Sequence, residues 1–217
     1  MSVATTFINA LYPDSCLSCF VPKEYHWRYE VLCDACLFSS KIHITLRCSI
    51  CRSLIKHPLS ECHKDRATIL TLRNNDPDTI TPLIRALTYQ GIERAIKPLT
   101  HTMVAGLIEA GIPLHKTTAV HLPLTTKEER ERGYNQHGLL TERVSRLLHI
   151  PYTPSFITKK GVQKRDRYTI RASLLPPTNL LMLFSVGRIL PHDITALKNS
   201  IHSHIPRLPI LFFETDS

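Results

Sequence analysis

Apolar and polar positions past residue 65 follow two periods in turn, about 3.6 residues and two residues, and the switches between them mark alternating helices and strands. ATILTLR, 67–73, reads as a strand. TITPLIRALTYQG, 79–91, predicts a helix ended by Gly91, and AIKPLTHTMVAGLIEAG, 95–111, a second one ended by Gly111. TTAVHLPL, 117–124, is a β-branched strand closed by Pro123. YNQHGLLTERVSRLLHI, 134–150, brings Leu139, Leu140, Val144, Leu147 and Leu148 to one helical face, and YTPSFI, 152–157, reads as a short strand. A basic segment, the apolar strand NLLMLFSVG, a helix near DITALKNSIHSH and a last strand RLPILFF complete the series. Strands separated by helices imply an α/β fold with a mostly parallel sheet covered on both faces. Before all of these, TTFINALYP places Phe7, Ile8 and Leu11 on one side of a short helix that Pro13 stops.

Cysteine usage divides the chain. All seven cysteines lie between Cys16 and Cys62, so we expect a cysteine-rich unit over 1–65 and an α/β domain over 66–217. The longest apolar runs, such as Leu180 to Phe184, are far short of the roughly 18 residues that span a bilayer, and MSVATTFINALYP has no basic region of the kind that opens a signal peptide. The expected compartment is therefore the cytosol, where paired cysteines are metal ligands more often than disulfides.

Cys16/Cys19, Cys33/Cys36 and Cys48/Cys51 are Cys-x-x-Cys knuckles, each of which clasps half of a tetrahedral zinc ion. Paired in order, they give a first site of Cys16, Cys19, Cys33 and Cys36, with Trp27 and Tyr29 in the loop between its halves. A second site holds Cys48, Cys51 and Cys62, and its fourth ligand is not a cysteine. Asp65 keeps the x-x spacing from Cys62, and His63 and His57 are the other candidates. Closed four-ligand sites leave no position for substrate, so one or two structural zinc ions are expected.

The charge sums to 27 − 18 = +9, a balance that favours polyanions as partners. Lys159, Lys160, Lys164, Arg165, Arg167 and Arg171 cluster around Tyr168 with Asp166 as the single acid, a composition suited to a single-stranded nucleic acid backbone and one stacked base.

VHLPLTTKEERERGYNQHGLLTERV, 120–144, resembles the ComF family of competence-associated, phosphoribosyltransferase-like proteins. The matching residues are Leu122, Pro123 and Leu124, then Arg132, Gly133, Tyr134, Asn135 and Gln136, then Leu139, Leu140 and Thr141. FINALYPDSCLSC and LIRALTYQGIERAIKPL agree in order and spacing. The resemblance implies a phosphoribosyltransferase-like sheet behind an N-terminal double zinc ribbon, single-stranded DNA handling in natural transformation, and competence-machinery proteins as partners. Arg132 suits bidentate pairing with phosphate, Gly133 a close backbone approach, and Asn135 and Gln136 a hydroxyl or base edge. The same residues also suit a structural role, with Asn135 and Gln136 capping a helix and Arg132 paired with Glu128 or Glu129.

One stretch departs from the pattern the resemblance implies. Transferases of this kind end the late strand in two acids, which hold ribose hydroxyls beside magnesium, and follow it with Thr-Thr-Gly-x-Thr around a phosphate. Here Phe184 and Ser185 stand where the acids belong and VGRILPH replaces the loop. Magnesium-dependent phosphoribosyl transfer is therefore not expected. An active transferase with an altered site and an interaction adaptor docking through its zinc ribbon are the alternative functions.

Overall fold

In the computed structural model, residues 15–23, 27–39, 42–56, 62–63, 67–74, 79–159, 168–186, 189–206 and 208–215 are described. Helix α1 (Asp34–Ser39) leads into strand β1 (Ile42–Cys48) and then β2 (Thr68–Asn74). Helices α2 (Ile80–Tyr89) and α3 (Ile96–Glu109) cross to β3 (Thr117–His121). Then follow α4 (Thr126–Arg132), α5 (Gln136–Leu148), the short pair β4 (Ile157–Lys159) and β5 (Tyr168–Ile170), β6 (Leu180–Phe184), α6 (Pro191–His202) and β7 (Ile210–Thr215). The N-terminal helix expected over TTFINALYP lies outside the described residues.

Five strands form one sheet in the order β1-β2-β7-β6-β3. β2, β7, β6 and β3 run parallel, and β1 adds an antiparallel edge. Period-two alternation divides the side chains of the parallel strands between two cores. Leu70, Leu72, Ala119, Met182, Phe184, Leu211 and Phe213 face one layer, against Leu83 and Leu87 of α2, Leu99 and Met103 of α3, and Leu140 and Val144 of α5. Ile69, Val120, Leu181, Leu183, Ile210 and Phe212 face the other, against Leu197 and Ile201 of α6 and Tyr168 and Ile170 of β5. With both faces covered, β6 can be apolar at every position, and all five of its residues are buried.

Two local expectations change. The β3 strand stops at His121: Leu122 still donates its N–H to the Phe184 carbonyl at 2.9 Å, and the chain leaves the sheet at Pro123. YTPSFI is not a strand throughout: Tyr152 makes one isolated bridge to Ala119, a turn follows at Pro154, and β4 begins only at Ile157. β1 lies before the compositional boundary near residue 65, yet it pairs along its whole length with β2 beyond it, so the two regions share one sheet. Gly106 of α3 lies close at this junction: a Cβ there would land on the end of the Ile44 side chain, which would have to shift. Among the described residues no helix is long and apolar enough to cross a membrane.

Candidate metal centres and ligand cavity

Cys16, Cys19, Cys33 and Cys36 offer four sulfurs that all lie within 4.8 Å of one another. A tetrahedron built on metal–sulfur bonds of about 2.3 Å has edges of about 3.8 Å, and Cys19 Sγ and Cys33 Sγ are 3.7 Å apart. The backbone N–H of Cys33 donates to Cys16 Sγ and that of Cys36 to Cys33 Sγ, both at 3.4 Å, which favours thiolates. Burial alone would raise the Cys16 thiol, but the N–H groups of Cys33, Cys19 and Ser18 outweigh it and hold it at about 7. Cys36 is pushed up to about 12, by burial first and then by its neighbouring sulfurs. Four thiols this close cannot all ionise without a cation among them, and the donor set fits a divalent, sulfur-binding ion. The cluster also packs into the molecule: Cys16, Cys33 and Cys36 are buried with Tyr29, Val31 and Leu32 in the core shared with α2 and α3.

The second cluster is Cys48, Cys51, Cys62 and His63, again within 4.8 Å. Cys51 Sγ to Cys62 Sγ is 3.6 Å and Cys48 Sγ to His63 Nδ1 is 3.6 Å, so this set also fits a tetrahedral ion. Of the three candidates for the fourth ligand, the structure brings in His63; Asp65 and His57 lie outside the described residues. The Ser53 hydroxyl, 2.7 Å from Cys51 Sγ, is the main reason the Cys51 thiol falls to about 6. Cys48 ends β1 and is buried, whereas Cys51, Cys62 and His63 are exposed.

Between Cys51 and Ser53, Arg52 adopts the left-handed backbone region at φ 59° and sends its side chain inward. Its guanidinium lies 3.5 Å from a carboxylate oxygen of buried Glu214 near the end of β7. The same oxygen accepts from the Thr71 hydroxyl at 3.3 Å, and the other accepts the N–H of Ile189 at 2.9 Å. One buried carboxylate thus ties the second cluster to the segment after β6.

That segment borders a cavity of about 690 Å³ outside the carboxyl ends of β3 and β6, where open α/β sheets hold ligands. Leu124, Arg132, Gln136, Lys159, Ser185 and Asp193 are among its lining residues, and Arg85 and Thr88 enter from α2. Thr125 and Glu128 form a capping box that starts α4, with Glu128 N to Thr125 Oγ1 at 3.2 Å and Thr125 N to Glu128 Oε2 at 2.6 Å. Lys159 Nζ completes this corner 3.1 Å from Glu128. Burial alone would raise Glu128, but the Thr125 groups and the Lys159 ammonium outweigh it and hold the carboxyl at about 2. Asp193 accepts from the Tyr168 hydroxyl at 2.6 Å.

Lys159 is paired with Glu128, and Arg85 and Arg132 outnumber the remaining lining carboxylate, Asp193. Among the described residues neither Arg85 nor Arg132 has a hydrogen-bond or ion-pair partner, so the cavity presents uncompensated positive charge and suits an anion. Two buried polar atoms of its lining residues, Thr88 Oγ1 and Gln136 Oε1, also lack partners. Beside Gln136, His137 Nδ1 accepts the N–H of Val186 at 2.9 Å, and burial holds the imidazole neutral at about 3.

The residues of the Arg-Gly-Tyr-Asn-Gln run separate by role. Arg132 and Gln136 line the cavity. Gly133 is the left-handed C-cap of α4 at φ 80°, and Asn135 caps α5 by accepting from Gly138 N at 3.0 Å. Tyr134 donates its hydroxyl hydrogen bond to the carbonyl of Leu87. Glu128, one of the two acids considered for Arg132, is paired with Lys159 instead. Lys159 faces the cavity from β4, and Lys160, Lys164, Arg165 and Arg167 lie outside the described residues. Phe184 is fully buried and stacks on Phe213, ring centroids 5.5 Å apart. Arg85, Thr88 and α4 were not singled out from the sequence, although Thr125-x-x-Glu128 is a capping-box signature.

No protein-family model matches the chain, and no curated protein is significantly similar to it. Fold and site together define a mixed α/β protein with a mostly parallel five-stranded sheet and two cysteine-rich clusters fit to bind metal.

Proposed function

We propose that this chain is a ComF-like protein that handles nucleic acid, with single-stranded DNA in natural transformation as its biological setting, on a phosphoribosyltransferase-like scaffold that does not transfer phosphoribosyl groups. Zinc is the ion assigned to both clusters, held by Cys16, Cys19, Cys33 and Cys36 and by Cys48, Cys51, Cys62 and His63, where it supplies folding energy rather than chemistry.

The observation that carries the reading is the end of β6. Phe184 is committed to a stack on Phe213 inside the core, and Ser185, also buried, donates its N–H to the Phe213 carbonyl at 2.8 Å. Neither offers the acceptor pair that a ribose diol and its magnesium need. What the cavity keeps is cationic and polar, Arg85 and Arg132 with Thr88 and Gln136, which supports a phosphate-bearing ligand. The size of the cavity favours, as a second reading, a phosphorylated small molecule bound there by an altered transferase site.

Titration of the zinc-loaded protein separates the two. The reading expects salt-sensitive binding of a fluorescein-labelled oligothymidylate and no magnesium-dependent binding of phosphoribosyl diphosphate. Saturable, magnesium-dependent binding of phosphoribosyl diphosphate would overturn it in favour of the second reading.

A further inference from the structure

A second concavity shares no lining residue with the first. It is a furrow of about 190 Å³ between α3 and α5, lined by Lys97, Thr100 and His101 from one helix and Arg143, Arg146 and Leu147 from the other. The helices place these groups by their period: Lys97 and His101 are one turn apart, as are Arg143 and Arg146, a spacing of about 5–6 Å. That is the order of the step between successive phosphates of an extended strand.

The furrow continues onto the first cysteine cluster. The Tyr29 hydroxyl meets His101 Nδ1 at 2.5 Å, and the Lys97 ammonium lies 6.0 Å from the Tyr29 ring centroid. Next to Tyr29 in the chain, Arg28 sits over the ring of Phe38, 5.1 Å from its centroid, and Phe38 is 67% exposed. A track therefore runs from an exposed aromatic ring through Arg28 and Lys97 to Arg143 and Arg146.

Its carboxylates are already engaged. Glu142 is paired with Arg146 at 2.7 Å, Glu30 with Arg94 at 3.2 Å, and Asp34 accepts the backbone N–H of Arg28 at 3.0 Å. Among the described residues Arg28, Lys97 and Arg143 have no ion-pair partner, so the track carries a net positive charge. The field registers on His101, whose imidazole is held below its ordinary value by burial and by the charges of Lys97 and Arg28.

We infer that the furrow between α3 and α5 is a binding track for single-stranded nucleic acid, with Lys97 and Arg143 on the backbone phosphates and Phe38, beside Arg28, as a stacking platform for one base. It rests on the nucleic-acid reading above and names a surface for it apart from the cavity. Base-to-aromatic stacking on a basic track is how strands are held without sequence preference.

The test uses the full-length, zinc-loaded protein, a fluorescein-labelled oligothymidylate and three variants. Lys97→Gln/Arg143→Gln is expected to weaken binding roughly tenfold and to reduce the slope of log K against log salt by about 1.4, the share of two phosphate contacts on a single strand. Phe38→Ala is expected to weaken binding several-fold with the slope unchanged. All three side chains are exposed, so an unchanged melting temperature verifies the fold. The third variant neutralises Lys160, Lys164, Arg165 and Arg167. If it loses affinity and slope while Lys97→Gln/Arg143→Gln keeps both, the track is overturned and the nucleic-acid reading stands. If the unmodified protein does not bind the oligonucleotide at low salt, both fall together.

Discussion

The two cysteine clusters share a donor geometry and differ in where the fold puts them. In the first, three of four ligands are buried, and Tyr29, Val31 and Leu32 carry the knuckle into the core that α2 and α3 share with the sheet. In the second, only Cys48 is buried, and the side-chain ties of this segment to the interior are polar, Arg52 to Glu214 and Ser49 to the N–H of Ala67. Spacing alone cannot tell such sites apart. The difference lies in the apolar side chains around the sulfurs: an ion at the first cluster organises a stretch of core, and an ion at the second joins the exposed Cys51, Cys62 and His63 to the end of β1.

The largest effect is therefore expected from Cys33→Ser. It removes a ligand and opens a buried cluster, at a cost of roughly 4 kcal/mol or more, a fall in melting temperature of about 8–16 °C by scanning fluorimetry. Glu214→Ala comes next. It leaves the Arg52 guanidinium, the Thr71 hydroxyl and the Ile189 N–H without their acceptor, at roughly 3 kcal/mol by chemical denaturation, and an amide-exchange map should show loosening both at Ile189 and at the second cluster. Cys51→Ser is expected to cost less, about 1–2 kcal/mol, while abolishing metal at the second cluster only. Equal losses for Cys33→Ser and Cys51→Ser would break the comparison.

A pH profile separates acid from metal. Burial holds His137 at about 3 and His121 at about 4. Below about pH 6.5 the unfolded chain takes up protons at these positions that the folded chain refuses, so stability is lost as pH falls toward 4, by up to about 1.4 kcal/mol per pH unit for each histidine. Acid also releases metal from thiolates, but that contribution is common to the parent and to His137→Gln. The difference between their pH profiles should isolate one proton, and identical profiles would contradict a neutral, buried His137.

The alternating elements past residue 65 were legible because a sheet covered on both faces writes its burial into the sequence. LLMLF at β6 is apolar throughout, and the face of Leu140 and Val144 repeats at helical spacing. β1 was not legible as part of that sheet, although IHITLRC alternates, because its residues sit among the cysteines and its partner is β2, after a second cysteine cluster. The ligand sets were readable by count and spacing, yet that His63 comes within reach of Cys48 depends on how the fold brings Cys62 and His63 back to the end of β1. Arg85 and Thr88 could not be found from sequence, since α2 reaches the cavity only through the packing of layers far apart in the chain.

Native mass spectrometry of the purified chain during a chelator titration tests the two-cluster account most directly. The prediction is two zinc ions per chain, lost in separate steps, with the exposed ion leaving first and the melting temperature dropping mainly with the second. Fewer than one zinc per chain, or loss of both ions in one step with a single drop in stability, would contradict it.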